Sequence, residues 1–181
     1  MQKKKWYQNP EMIIGLSALM VSLMAVFIGA YTAYIERTFA RSSMWPRLEI
    51  FRSFSQKDEQ RYFKYSVSNV GTGPALIQYA VLKFDGQVAT NWSVFMELIE
   101  AEKVNFSQSH IGGRILPAEA VTEVLYTEDE NLMKRLLQVG NKASIELCYC
   151  SIYDECWLTD SKNKPQPIAE CQVDDTVRFL Q

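Results

Sequence analysis

From Met12 to Ile35 the chain runs for twenty-four residues without a charged side chain, bounded by Glu11 and Glu36. The only polar residues inside are Ser17, Ser22, Tyr31, Thr32 and Tyr34. At ~1.5 Å per residue such a helix reaches ~36 Å, enough for the ~30 Å hydrocarbon core of a bilayer. A soluble helix of this length would carry a polar stripe, and none is present. The pattern predicts a transmembrane helix over 12–35 behind a basic tail, 1–11. A juxtamembrane stalk, 36–46, follows and ends at Trp45-Pro46, because proline disfavours a helical residue before it.

After Arg47 the period changes to two. Leu48 and Ile50 alternate with Arg47 and Glu49, and Gln56 to Gln60 reads as a polar turn. Phe63, Tyr65 and Val67 alternate with polar neighbours as a half-buried strand that stops at Asn69. Ala75 to Phe84 is an apolar strand, with Leu76, Gln78, Ala80, Leu82 and Phe84 on one face and Ile77, Tyr79 and Val81 on the other. Asp85-Gly86 is a type I′ turn signal. Thr90 or Asn91 caps a short helix carrying Trp92, Phe95, Met96 and Ile99. Thr127 and Glu130 form a capping box for a second helix, with Leu132, Met133, Leu136, Leu137 and Val139 as its stripe and Gly140 as its stop. Val104 to Phe106, Arg114 to Leu116 and Val121 to Tyr126 read as strands. Ala143 to Tyr153 and Cys156 to Thr159 read as a hairpin around Asp154-Glu155, and Val173 to Leu180 as an edge strand. Seven or eight strands with two short helices predict a mainly β domain over 47–181, an immunoglobulin-like β-sandwich. The Cys, Trp, Cys spacing of antibody domains is absent.

Charge divides the chain. Residues 1 to 52 hold seven basic and three acidic side chains, a net +4, while the remainder holds twelve and eighteen, a net −6. Basic residues therefore flank the span, where they meet anionic lipid, and the acidic distal domain is no general nucleic-acid binder. Lys3 to Lys5 before an apolar run also resemble the start of a signal peptide, but the run is too long and no small-x-small site follows, so the reading is a retained single-pass anchor. Trp6, Tyr7, Tyr31 and Tyr34 sit where interfacial aromatics are expected. Positive charge at the two ends of the span is nearly balanced and does not set its orientation. Ala18, Ser22, Ala25, Gly29 and Ala33 share one helix face, a row of small residues through which two spans could pack as a homo-oligomer.

Candidate chemistry is sparse. The loop Asn69 to Ala75 has paired glycines but neither the lysine and Ser/Thr of a P-loop nor a dinucleotide fingerprint, and Gly71 or Gly73 is expected to supply a positive φ. Cys148, Cys150, Cys156 and Cys171 admit three readings: a structural zinc site, two disulfides (Cys150 to Cys156 and Cys148 to Cys171), or buried free thiols packing as small hydrophobes, the favoured one. Zinc fits poorly, since one Cys-x-Cys stands where two Cys-x-x-Cys knuckles are usual. The one histidine, His110, lies in a polar loop and is a poor base for a thiol enzyme. Glu97, Glu100 and Glu102 read as a solvated helix face, Glu128 to Glu130 as a helix start, and Asp154 and Glu155 as turn residues. No catalytic residue, cofactor or metal is expected.

The Arg41 to Pro46 exit, the Asn69 to Ala75 loop and the Cys148 to Trp157 hairpin together resemble a group of uncharacterised bacterial single-pass membrane proteins with a C-terminal β-rich domain. The resemblance implies no activity. It implies the bacterial inner membrane and, since such proteins tend to carry basic residues after the span, a cytosolic domain. The expected function is a non-catalytic binding or interaction module for a protein or small molecule. The alternative is a small membrane effector or sensor whose domain binds a ligand and controls helix assembly in the bilayer.

Overall fold

The computed structural model describes residues 10–57, 60–101 and 103–180. Lys3 to Lys5, Trp6, Tyr7, Glu102 and the tip of the expected Gln56 to Gln60 turn lie outside them. Two compact units divide between Ser42 and Ser43.

The first unit contains one α-helix, α1 (Pro10–Ser43), so the stalk continues the span without a break. It is long and apolar enough to cross a membrane, and no part of it is buried. The short hydroxyls within the apolar run are satisfied inside the helix: Ser17 donates to Ile14 O (2.8 Å), Ser22 to Ala18 O (2.8 Å) and Thr32 to Ile28 O (2.9 Å). Such internal pairing suits a medium without water, where an unpaired polar group is costly.

The second unit holds two antiparallel sheets. The four-stranded sheet runs β1 (Leu48–Lys57), β2 (Gln60–Asn69), β7 (Val121–Thr127), β5 (Ser107–Gln108). The other runs β10 (Gln166–Ile168), β9 (Cys156–Asp160), β8 (Ala143–Cys150), β3 (Ala75–Phe84), β4 (Gln87–Ala89), and β6 (Arg114–Leu116) also pairs with β3. One buried cluster draws on both: Leu48, Ile50, Phe63 and Val67 from the first, Ile77, Leu82, Ile145 and Leu147 from the second. The helices α2 (Trp92–Leu98) and α3 (Glu130–Val139) add Trp92, Phe95, Leu132 and Leu136 to it.

Most elements follow the sequence pattern, and the exceptions have local causes. Asp85 and Gly86 both have positive φ (50° and 84°), as the type I′ turn between β3 and β4 requires. Asn91 caps α2, accepting from Val94 N at 2.9 Å. The cap of α3 is Asp129, which accepts from Asn131 N and Leu132 N, and not Thr127. Thr127 is buried in β7, where its hydroxyl donates to Asn105 O and accepts from Asp129 N rather than from Glu130 N, so no capping box forms. The faces of β3 do not alternate throughout: a register shift between Ile77 and Tyr79 puts Ile77, Ala80 and Leu82 in the main core, and Tyr79 and Val81 in a second cluster with Cys148. Val104 to Phe106 is not a strand; pairing with β7 begins at Ser107. Nor is Val173 to Leu180 an edge strand. Val173 packs on the second cluster, while Phe179 enters the main core with its ring 5.2 Å from that of Trp92.

Candidate functional site

Three places concentrate polar or reactive groups. At the Asn69 to Ala75 loop, Asn69 is fully buried at the end of β2. Its Oδ1 accepts from Arg47 N (3.2 Å) and Gly71 N (3.1 Å), and its Nδ2 donates to Gly73 O (2.8 Å), Leu116 O (3.0 Å) and Pro117 O (3.1 Å). One amide thus ties three segments together. Gly71 and Gly73 do not have positive φ, contrary to the sequence expectation. They are glycine because of close approach: a Cβ on Gly71 would collide with the backbone of Trp45 to Arg47, and one on Gly73 with the backbone of Met44. Thr72 N and Gly73 N donate to Trp45 O (2.9 and 3.3 Å), and Val70 N to Arg47 O (2.8 Å). The loop is a clamp on the segment that follows α1, its backbone donors already occupied there.

The four cysteines form two disulfides, Cys148 to Cys171 and Cys150 to Cys156, so the favoured free-thiol reading is corrected. Their placement explains the pairing. Cys150 and Cys156 face each other across the β8–β9 register, with Cα atoms 4.0 Å apart, and Cys148 meets the C-terminal segment where it crosses the second cluster. Cys150 Sγ lies only 3.7 Å from Cys171 Sγ, so the bridges touch. Disulfides persist in oxidising compartments, and these hint at a non-cytoplasmic domain, against the cytosolic side implied by the resemblance. His110 is exposed on its loop and has no free thiol to activate.

The third place is a half-open cleft of about 500 Å³ between β1, the start of β8 and the residues after β9. Arg52 follows Leu48 and Ile50 on the core-facing side of β1 and stands opposite Tyr65. Its guanidinium stands near enough to the Tyr65 hydroxyl to act on it electrostatically, and so close to Gly140 that a Cβ there would strike it. Gly140 itself is right-handed (φ −57°), so α3 does not end in a left-handed glycine cap. A cation at a helix C-terminus is favourable, which gives Arg52 a structural role as well. Burial holds the Tyr65 hydroxyl above its ordinary range, with Arg52 offsetting part of that effect. Lys162, Ser144, Ser161, Asn141 and Asp160, whose Oδ1 accepts from Lys162 N (2.8 Å), complete the polar side, and Ile50, Phe51 and Ala143 the apolar side. Among the described residues neither Arg52 nor Lys162 has a carboxylate within ion-pair distance. Nothing in the sequence pointed here, since the lining comes from separate segments without a motif.

The acidic groups singled out in the sequence are spread over structural tasks. Glu100 pairs with Arg135 (2.7 Å), Glu128 accepts from the Tyr126 hydroxyl, Asp129 caps α3, and Glu130 pairs with Lys134 (2.7 Å) and Arg61 (3.4 Å). Asp154 adopts φ 61° in the β8–β9 turn, as expected of a turn residue. In α1, Ala18, Ser22, Ala25, Gly29 and Ala33 are all exposed, and a Cβ on Gly29 would meet nothing. Neither a scan of protein-family models nor a search of curated proteins returns a match to this chain.

Proposed function

We propose that this chain is a non-catalytic binding module, held at a bacterial inner membrane by α1, with its β domain on the non-cytoplasmic side. The strand orders β1-β2-β7-β5 and β9-β8-β3-β4 support an immunoglobulin-type sandwich, since they match the orders A-B-E-D and G-F-C-C′ of that fold. The two disulfides support the oxidising side.

The cleft at Arg52 carries the reading. A guanidinium and an ammonium outnumber the one carboxylate of the lining, Asp160, which pairs with neither and accepts from Lys162 N; beside hydroxyls and an apolar wall they suit a small organic anion, the planar fork of Arg52 matching a carboxylate and Ile50 and Phe51 its hydrocarbon part. Calorimetric titration of the full chain in detergent with benzoate tests this, with benzyl alcohol as the uncharged control and inorganic phosphate as a second anion. Saturable benzoate binding that Arg52→Gln abolishes is the expected result. Equal binding of the alcohol, or benzoate binding that survives the substitution, would refute it.

One observation favours the sensor alternative. The segment directly after α1 is fixed by the Asn69 clamp, so a change in the domain has a short covalent route to the span. Leakage from liposomes carrying the full chain, triggered by benzoate and lost in Arg52→Gln, would support it; intact liposomes at saturating benzoate would discard it.

A further inference from the structure

The sulfur cluster has a second capacity besides holding the chain together. Cys148 and Cys150 are two residues apart on β8, Cys156 is the register partner of Cys150, and Cys171 arrives from the C-terminal segment. The Sγ atoms of Cys150, Cys156 and Cys171 all lie within 4.8 Å of one another, and Cys148 is bonded to the last of them. In a tetrahedral tetrathiolate site with metal–sulfur bonds of ~2.3 Å, neighbouring sulfurs are about 3.8 Å apart. The unbonded pair Cys150 and Cys171 already stands at 3.7 Å.

We propose that, when reduced, these four cysteines form a binding site for a soft divalent cation of the Zn²⁺ class, so that one cluster has an oxidised, doubly bridged state and a reduced, metal-bound state. Each disulfide takes two electrons and two protons from a dithiol, which leaves as its own cyclic disulfide. The four thiols then release their protons to solvent as the cation enters. Tetrahedral sulfur coordination selects zinc over harder cations. Cys148 is fully buried and Cys150 and Cys156 nearly so, which provides a dry site, while half-buried Cys171 marks the way in. The absence of paired Cys-x-x-Cys knuckles does not forbid this. Here a strand, the strand across its hairpin and a crossing segment bring the ligands together instead of two knuckles.

The test uses the full chain in detergent, reduced anaerobically and titrated with Co²⁺, whose spectrum reports coordination. The expected result is one equivalent bound with thiolate-to-cobalt charge transfer and tetrahedral ligand-field bands, bleached by Zn²⁺, while the oxidised chain takes up none. Cys171→Ser should remove about a quarter of the charge-transfer intensity and weaken binding at least about tenfold. Cys156→Ser, at the other end of the cluster, should do the same. A reduced chain that keeps its β circular dichroism yet binds no cobalt would overturn the proposal. So would binding indifferent to both substitutions, or a reduced chain that unfolds and is not restored by metal.

Discussion

The C-terminal end of β2 and its middle, open to a cleft, show opposite uses of polar groups. At its C-terminal end, Asn69 is buried and every donor and acceptor of its amide is engaged, with two glycines admitting backbone against backbone. At its middle, Tyr65 and the Arg52 opposite it on β1 border an open cleft where cations keep spare donors beside solvent. Buried polar atoms with complete partnering specify one arrangement, whereas half-exposed ones with unused capacity can exchange water for a ligand. The closed end should therefore dominate stability, and the open middle recognition.

The sharpest way to break that contrast is Gly73→Ala. The added Cβ meets backbone that cannot swing aside, so a loss of about 3 kcal/mol or more is expected, read as a collapse of the urea midpoint. Asn69→Ala should cost about 3 kcal/mol, because it strands buried donors and acceptors in three segments. An Asn69→Ala chain that melts like the wild type would remove the distinction between the two regions. Replacing the disulfides by alanine pairs should follow loop length: about 3 kcal/mol for Cys148 to Cys171, which closes 23 residues, and about 2 for Cys150 to Cys156, which closes 6. Equal thermal shifts for the two would contradict that ranking.

Alkaline pH probes the buried tyrosines of both sheets. Burial raises the hydroxyl pKa values of Tyr65, Tyr79 and Tyr149. The folded chain therefore holds protons that the unfolded chain gives up near pH ~10, so this stability is complete below that pH and is lost as pH rises through the raised values. Melting temperature should fall above pH ~10, and less steeply in Tyr149→Phe; an unchanged slope would show that this hydroxyl does not contribute. The smallest effect expected on stability belongs to Arg52→Gln, at most about 1 kcal/mol from the helix C-terminus, alongside complete loss of benzoate binding. A large destabilisation there would make the open middle structural after all.

Where side-chain period decided the outcome, the sequence was readable. The β2 alternation, the Asp85-Gly86 turn, the stripe of α3 and the Cys150 to Cys156 hairpin follow from local pattern alone. What it did not disclose depends on distant contacts. Gly71 and Gly73 looked like turn glycines because nothing local reveals Met44 to Arg47 lying against them. Val173 and Phe179 have strand-like spacing, but they fill two different clusters that the rest of the chain creates. β10 was hidden by Pro165 and Pro167; the latter is tolerated because this strand pairs on one side only, with Pro167 opposite Trp157. The cleft was the least legible, since Arg52 reads as one more surface charge until Tyr65 and Gly140 are placed around it.

The β9–β10 turn ends in a detail with consequences for crowding. Asn163, at φ 56°, turns its amide toward the outer edge of β1: Ile50 N donates to its Oδ1 (2.7 Å) and its Nδ2 donates to Ile50 O (3.0 Å). A single side chain here does what a neighbouring strand would do. An edge strand of ten residues is otherwise a template for another copy, and that hazard grows when molecules are confined to a plane and meet repeatedly in the same orientation. By occupying one rung near the start of that edge, Asn163 denies a second chain continuous pairing along it.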